Sequence, residues 1–248
     1  MIDLHCHVLP GIDDGPGTDE EALALARAAA ELGTRVLVAT PHRSPRWPTE
    51  PAAVVAGVER LAGLLAAAEV DVELRAGAEI ALEEAARLDD GTLSQLALGH
   101  GRHLLLESPH GPVGDRLEST VSELLDRGHG IVLAHPERSP AFQDRPGRLR
   151  ALVAAGALCS ITAGALEGRF GSASQWFALE LLRDGLVHSL ASDAHHAIGR
   201  PPGLQGGLDA AARHLSGVAS QTRWLTNEVP AAILAGEPLP ARPERVVS

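Results

Sequence analysis

Lysine and tyrosine are both missing from this 248-residue chain. Without lysine there is no P-loop lysine, and neither Schiff-base nor lysine general-base chemistry is available. All 21 basic residues are therefore arginine. Aromatic side chains make up only 2% of the chain, so a core must be assembled from alanine, leucine and valine. Two cysteines, Cys6 and Cys159, are too few for a disulfide framework and fit a reducing compartment. Neither opens a Cys-x5-Arg phosphatase loop, because the residue six positions on is Ile12 in one case and Ala165 in the other. No Gly-x-Ser-x-Gly elbow occurs either, which removes that class of serine hydrolase. The N-terminus lacks the basic and apolar regions of a secretory signal. No apolar run approaches the ~18 residues of a spanning helix. The expectation is a cytoplasmic protein without membrane insertion. A net charge of −11 leaves no basic face for nucleic acid.

What is present is an alternation of short apolar runs with longer amphipathic ones. Ile2–Leu4 reads as a strand. Thr18 and Glu21 form a capping-box signature for a helix that stops at Gly33. Strand-like runs come next at 35–39, 70–76, 102–107, 130–134, 157–162 and 187–191. Helical spacing is evident over 50–68, 114–127, 145–155, 172–184, 204–215 and 228–236, and residues 80–101 read as a loop-rich section. Seven strand-like runs alternating with helices argue for a closed or nearly closed parallel β/α barrel, with an open doubly wound sheet as the alternative. No linker or composition shift divides the chain, so residues 1–248 are expected to form one domain.

The chemistry collects at the ends of these runs. His5 and His7 are two apart at the end of the first strand, where residues i and i+2 face the same way, while Cys6 faces the other. His42 follows the second run, Glu79 the third, Glu107 the fourth, His135 the fifth, and Asp193 with His195 the seventh. Only the run ending at Thr162 closes without a ligand type. In β/α barrels the strand C-termini share one face, and active sites are built there. With Asp14 from the turn Asp13-Asp14-Gly15, the set comprises five histidines, two glutamates and two aspartates. That exceeds one ion's coordination and implies a two- or three-metal cluster. Imidazole and carboxylate without thiolate suit Mn, Fe, Zn or Mg. Three divalent ions against four carboxylates leave a positive pocket, suited to a phosphate monoester. Arg138 and Arg200, close in sequence to His135 and His195, are candidates for holding phosphoryl oxygens. Arg43 is a weaker third.

Taken in order, His5-Cys6-His7, Asp13-Asp14-Gly15, Thr40-Pro41-His42, Gly77-Ala78-Glu79, Glu107, His135-Pro136-Glu137-Arg138 and Ser192-Asp193-Ala194-His195 resemble the PHP (polymerase and histidinol phosphatase) superfamily. Within it, the pattern is similar to the CpsB/YwqE-type bacterial protein-tyrosine phosphatases, over residues 1 to about 235. The resemblance implies a distorted seven-stranded (β/α)7 barrel of PHP type and three divalent metal ions, manganese before Fe, Zn or Mg. It groups His5, His7, Glu79 and Asp193 on one ion. Glu79 bridges to a second ion held with Glu107 and His135, and Asp14, His42 and His195 hold the third. Asp13 and Asp14 remain interchangeable as ligands on sequence alone.

The resulting expectation is a metal-dependent phosphomonoesterase that hydrolyses phosphotyrosine in proteins through a metal-bridging hydroxide. Its substrate would be a phosphotyrosine-containing protein, a bacterial tyrosine kinase being one candidate, in exopolysaccharide or capsule regulation. A phenolate has a pKa near 10 and needs little help in leaving; His110 and His196 stand near enough in sequence to be considered as proton donors. The alternatives are a small-molecule phosphatase of the histidinol-phosphate type and a non-catalytic, metal-stabilised interaction domain.

Overall fold

Apolar runs too short for helices become strands, and every strand pair is parallel. The computed structural model describes residues 1–111 and 116–243. Among these, the strands are β1 (Ile2–Cys6), β2 (Val36–Ala39), β3 (His42–Arg43), β4 (Glu73–Ala76), β5 (Glu79–Ile80), β6 (His103–Glu107), β7 (Gly130–Ala134), β8 (Leu158–Thr162) and β9 (Ser189–Ala191). They form one sheet in the order β1-β2-β4 and another in the order β3-β5-β6-β7-β8-β9. β7 and β8 are buried along their whole length, the mark of parallel strands covered on both faces. This is an α/β fold. The runs expected at 35–39 and 70–76 end as expected, at Ala39 and Ala76, and each is followed by a two-residue strand that was not anticipated, β3 and β5. Pro41 falls between β2 and β3, and Gly77 with Ala78 falls between β4 and β5. Proline has no N–H to give a ladder, so the pairing shifts sheets there, while its carbonyl still accepts from the Glu79 N–H at 3.1 Å.

Backbone contacts at the far edges join the two sheets. Cys6 bridges to Ala194, His7 N–H donates to the Ala194 carbonyl at 2.9 Å, and Asp193 N–H donates to the His5 carbonyl at 2.9 Å. Asp3, wholly buried, reinforces this seam by accepting from the Ser192 N–H at 3.0 Å. The ends of the first and last strands are thus brought side by side.

Helices wrap the strands as their periodicity predicts. Thr18 caps the helix Asp19–Glu31, its hydroxyl accepting from Glu21 N–H at 3.3 Å, and Gly33 beyond its end takes the left-handed backbone (φ 90°) that stops it. The helix expected over 114–127 is observed as Arg116–Asp126; its residues 114 and 115 lie outside the described residues. The loop-rich reading of 80–101 needs correction. Short helices occupy Leu82–Ala85 and Asp90–Leu96, the second capped by Asp89, which accepts from Thr92 N–H at 2.9 Å. A helix at Val218–Arg223 that continues through a wider π turn to Ala235 was likewise not anticipated over its first half.

With so few aromatics, the core is aliphatic. One cluster fills the larger sheet and its helices around Leu105, Val132, Leu133 and Ile161; a second, including Cys6, Leu25, Leu37 and Leu61, packs the first two long helices onto β1 and β2. Each fully buried leucine contributes about 2 kcal/mol of hydrophobic free energy. Both clusters hold the strand ends at one rim. No helix of the described residues is long and apolar enough to cross a membrane.

Candidate metal centre

The strand ends deliver the expected side chains to one place. β1 carries His5 and, one residue beyond its end, His7; both are buried, while Cys6 between them packs into the aliphatic cluster on the opposite side. His42 and Glu79 begin β3 and β5, Glu107 ends β6, His135 follows β7, and Asp193 and His195 follow β9. His135 (φ 36°) and Asp193 (φ 51°) adopt the left-handed backbone that non-glycine residues avoid. Such strain persists only where the surroundings enforce it, and here it turns both side chains inward.

Glu79 is the centre. Its carboxylate is wholly buried, with Oε1 2.6 Å from His135 Nε2. Oε2 lies 3.2 Å from His5 Nε2, 3.3 Å from His7 Nε2 and 3.1 Å from His42 Nδ1. Asp193 Oδ1 is 3.4 Å and 3.5 Å from the same His5 and His7 nitrogens. At the rim, Asp14 Oδ1 stands 3.3 Å from His195 Nε2 and 3.6 Å from His42 Nε2. Among the described residues, four overlapping sets have ligand atoms close enough to share an ion: His7, Asp14, His42 and His195; His5, His7 and Asp193; His5, Glu79 and His135; His42, Glu79 and Glu107. All the expected ligands recur, but the partition differs from that implied by resemblance. Glu107 groups with His42 rather than with His135, and His7 also reaches the Asp14 set.

These atoms fit cations better than they fit one another. His5 Nε2 and His7 Nε2 face each other at 3.1 Å, and Glu79 Oε2, His135 Nδ1 and His195 Nε2 are buried without a hydrogen-bond partner among the described residues. Leaving buried polar atoms unsatisfied is costly, and converging lone pairs repel. An imidazole and carboxylate donor set without sulfur matches Mn, Fe, Zn or Mg.

The electrostatics are those of crowded carboxylates and imidazoles: against the lowering effect of its burial, His7 is raised well above its usual range by hydrogen bonds to Asp13, Asp193 and Glu79. Burial alone would raise Glu79, but the adjacent His5 and His135 rings override it and hold the carboxyl well below its usual range. Asp193 is likewise pulled down against its burial, by His5 first and by Arg138 among others. Glu107 is pushed up to about 8 by burial and by the Glu79 and Glu83 charges, the sign of a pocket short of positive charge. Burial, then Arg138, lowers His135 to about 4; burial, then His7, lowers His195 to about 2. Both rings are therefore neutral at pH 7, the form in which imidazole binds a metal.

The structure separates the two adjacent aspartates. Asp13 Oδ2 lies 2.6 Å from His7 Nδ1 and accepts from the His42 N–H at 2.9 Å, while Oδ1 accepts from the Gly15 N–H at 3.0 Å. A carboxylate spent in this way orients the His7 ring from behind. Asp14, with its side chain 48% exposed, is the one turned to the mouth. Gly15 permits this turn, since a Cβ there would stand 2.3 Å from the His7 carbonyl oxygen.

Arg138 and Arg200 both donate to Asp193 Oδ2, Arg200 Nη2 at 2.6 Å. Both guanidiniums lie over the Phe170 ring, at 4.4 Å and 6.0 Å from its centroid. Phe170, in an Arg-Phe-Gly stretch without a motif, carried no sequence signal. Arg43 points elsewhere, held by Glu84 at 3.2 Å and Glu50 at 2.9 Å. His110 stacks on His135 with centroids 5.6 Å apart. A cavity of about 200 Å3 at the mouth is lined by every expected ligand except His5 and His7, by both arginines and by His110; His196 is not among its lining residues. Thr162, ending the strand without a ligand, instead donates its N–H and hydroxyl to the buried Glu137 at 3.0 Å and 2.7 Å. That bond fixes the turn carrying Arg138.

The family described as capsular polysaccharide synthesis, CpsB/CapC, matches residues 1–234. The tyrosine-protein phosphatase YwqE of Bacillus subtilis is 36% identical over 197 residues, covering 79% of this chain and 78% of that protein. The tyrosine-protein phosphatase CpsB of Streptococcus pneumoniae is 27% identical over 238 residues, covering 92% and 96%. A chain from crystal structures of YwqE and CpsB, unique metal-dependent tyrosine phosphatases of these two organisms, superposes with a TM-score of 0.85 at 31% identity over 100% of both chains. An L-hydantoinase from Arthrobacter aurescens shares the fold alone, with a TM-score of 0.58 at 12% identity over 94% of this chain and 70% of that one.

Proposed function

The chain belongs to the CpsB/CapC family of capsular polysaccharide synthesis, and we propose that it is a metal-dependent protein-tyrosine phosphatase. The observation that carries this reading is the pair Arg138 and Arg200, set side by side at the rim of an imidazole–carboxylate cage. His5, His7, Asp14, His42, Glu79, Glu107, His135, Asp193 and His195 would hold three divalent ions, manganese before Fe, Zn or Mg. When bound, such ions supply Lewis acidity that lowers the pKa of water and offsets charge on a phosphoryl group.

The chain's own residues do the rest. Arg138 and Arg200 present planar N–H forks that match phosphoryl oxygens and stabilise charge building on them. Phe170 beneath them limits their swing, so little order is lost on binding. Asp13 fixes the His7 ring so that Nε2 faces the cage, and the neighbouring imidazoles keep Glu79 ionised. The product phenolate leaves without demanding a strong acid.

On this reading, residues 1–248 form one PHP-type domain, a distorted (β/α)7 barrel counted with β3 and β5 as continuations of β2 and β4; residues 244–248 lie outside the described residues. It acts in the cytoplasm on phosphotyrosine in a protein, a bacterial tyrosine kinase of capsule or exopolysaccharide synthesis being the partner, without nucleic acid. The relatives' names favour this substrate over a small monoester. The test is turnover of a phosphotyrosyl peptide against histidinol phosphate with Mn2+ present. Preference for the peptide is expected; a strong preference for the small molecule would overturn the assignment.

A further inference from the structure

Beside the mouth lies a second cavity, of about 440 Å3, built from the turns that come after three of the candidate ligands. Pro45 and Arg46 come after His42, Leu82 and Glu83 after Glu79, and Pro109 and His110 after Glu107. Strands β3, β5 and β6 are neighbours in the sheet, so these turns stand in a row and the cavity is a groove across their ends. Glu107 and His110 line both the groove and the mouth. A substrate seated over the cage therefore continues into the groove if it is long enough. A small monoester would leave it empty.

The groove carries a charge as well as a shape. Ser44 and Trp47 exchange backbone hydrogen bonds, Ser44 N–H to the Trp47 carbonyl at 2.9 Å and the reverse at 3.1 Å, which sets Pro45 and Arg46 at the tip of a closed turn. The Arg46 guanidinium carbon lies 5.2 Å from the centroid of the Trp47 ring, so the side chain is propped rather than free to sweep. Among the described residues Arg46 has no carboxylate partner, whereas nearby Arg43 is taken up by Glu50 and Glu84. Arg46 thus leaves a positive charge on the lining of the groove. Glu83, on the Glu79 side of the groove, repels carboxylates there and gives it a polarity.

We propose that this groove takes the polypeptide flanking the phosphotyrosine and that Arg46 selects substrates with an acidic side chain within a few residues of it. The inference rests on the phosphotyrosyl-protein reading above. Its test uses matched phosphotyrosyl peptides flanked by Glu, Ala or Lys. They are given to the wild-type protein, Arg46→Ala and Arg46→Glu, each rate normalised to p-nitrophenyl phosphate turnover by the same preparation. For the wild type, kcat/KM for the Glu-flanked peptide should exceed that for the Ala-flanked one by up to about five-fold, the weight of a solvent-accessible ion pair. That preference should shrink with salt. Arg46→Ala should level the two peptides, and Arg46→Glu should turn the preference toward Lys. Rates indifferent to the flanks, a preference that survives Arg46→Ala, or variants that scale all peptides equally would overturn the groove assignment alone. If p-nitrophenyl phosphate is hydrolysed and no phosphotyrosyl peptide is, the phosphotyrosine reading falls, and this one with it.

Discussion

Replacing Asp13 by asparagine separates a ligand from the group that aims one. Asp13 makes three contacts with two oxygens: Oδ2 serves His7 Nδ1 at 2.6 Å and the His42 N–H at 2.9 Å, and Oδ1 the Gly15 N–H at 3.0 Å. Asparagine keeps the shape but must place an NH2 group at one of those positions. The cheaper choice gives up Gly15, leaving two N–H groups facing each other, and it removes the negative charge behind His7. Loss of such an orienting carboxylate weakens metal binding by about 10- to 100-fold, or about 1.4–2.7 kcal/mol. Titration calorimetry of the metal-free protein with Mn2+ should show this weakening for Asp13→Asn, and excess Mn2+ should restore turnover of p-nitrophenyl phosphate. Asp14→Asn, which removes an oxygen at the mouth, should stay slow at any Mn2+ concentration. The reasoning is refuted if Asp13→Asn binds Mn2+ as tightly as the wild type, or if the two variants behave alike.

Three further outcomes rest on the same geometry. Arg138→Ala and Arg200→Ala should each lower kcat/KM by about 10²–10³, the weight of one preorganised transition-state donor, with metal affinity measured calorimetrically changing far less; an equal loss of metal would refute their placement on phosphate. Gly15→Ala should lower the thermal midpoint and weaken metal binding together, because a Cβ 2.3 Å from the His7 carbonyl oxygen must push the ligand turn aside; unchanged melting would refute that. His188, far from the cage, accepts the Cys159 N–H at 3.1 Å through Nδ1, and burial, then Arg242, lowers its pKa to about 4. The unfolded chain binds this proton more readily, so the stability contributed by neutral His188 is full above about pH 6.5 and lost as pH falls toward about 4, by about 3 kcal/mol in all. Denaturant unfolding of His188→Gln should show a shallower loss between those pH values, and parallel curves would refute the assignment.

That these candidate side chains gather at one place was legible in the order of residues because two regularities act together. Parallel β/α alternation puts strand C-termini on one rim, and His-x-His at a strand end puts two rings on one side. His5, His7, Glu107, His135, Asp193 and His195 could each be placed from those regularities, whereas His42 and Glu79 stand three residues beyond β2 and β4, at the starts of β3 and β5. The helices at Leu82–Ala85 and Asp90–Leu96 were hidden because each is too short to show a period, and Gly91 interrupts the second. Arg43 illustrates the converse failure: its position next to His42 pointed at the site, but on a strand neighbouring residues face opposite ways, and its guanidinium went to Glu50 and Glu84.

The sequence by itself thus determined the class of fold, the kinds of donor atom and the rim where they stand, since these depend only on residue type and on periods of a few residues. Tertiary structure alone decided which donors share a neighbourhood: that Asp13 stands behind His7 while Asp14 faces the mouth, that Glu107 joins His42, that two arginines meet over Phe170, and that Glu107 and His110 line both the mouth and the groove beside it. Those outcomes are distances between strands that are remote in sequence. They are set by where Pro41 and Gly77 break the ladders and by the seam that brings β9 against β1, and no local pattern encodes them.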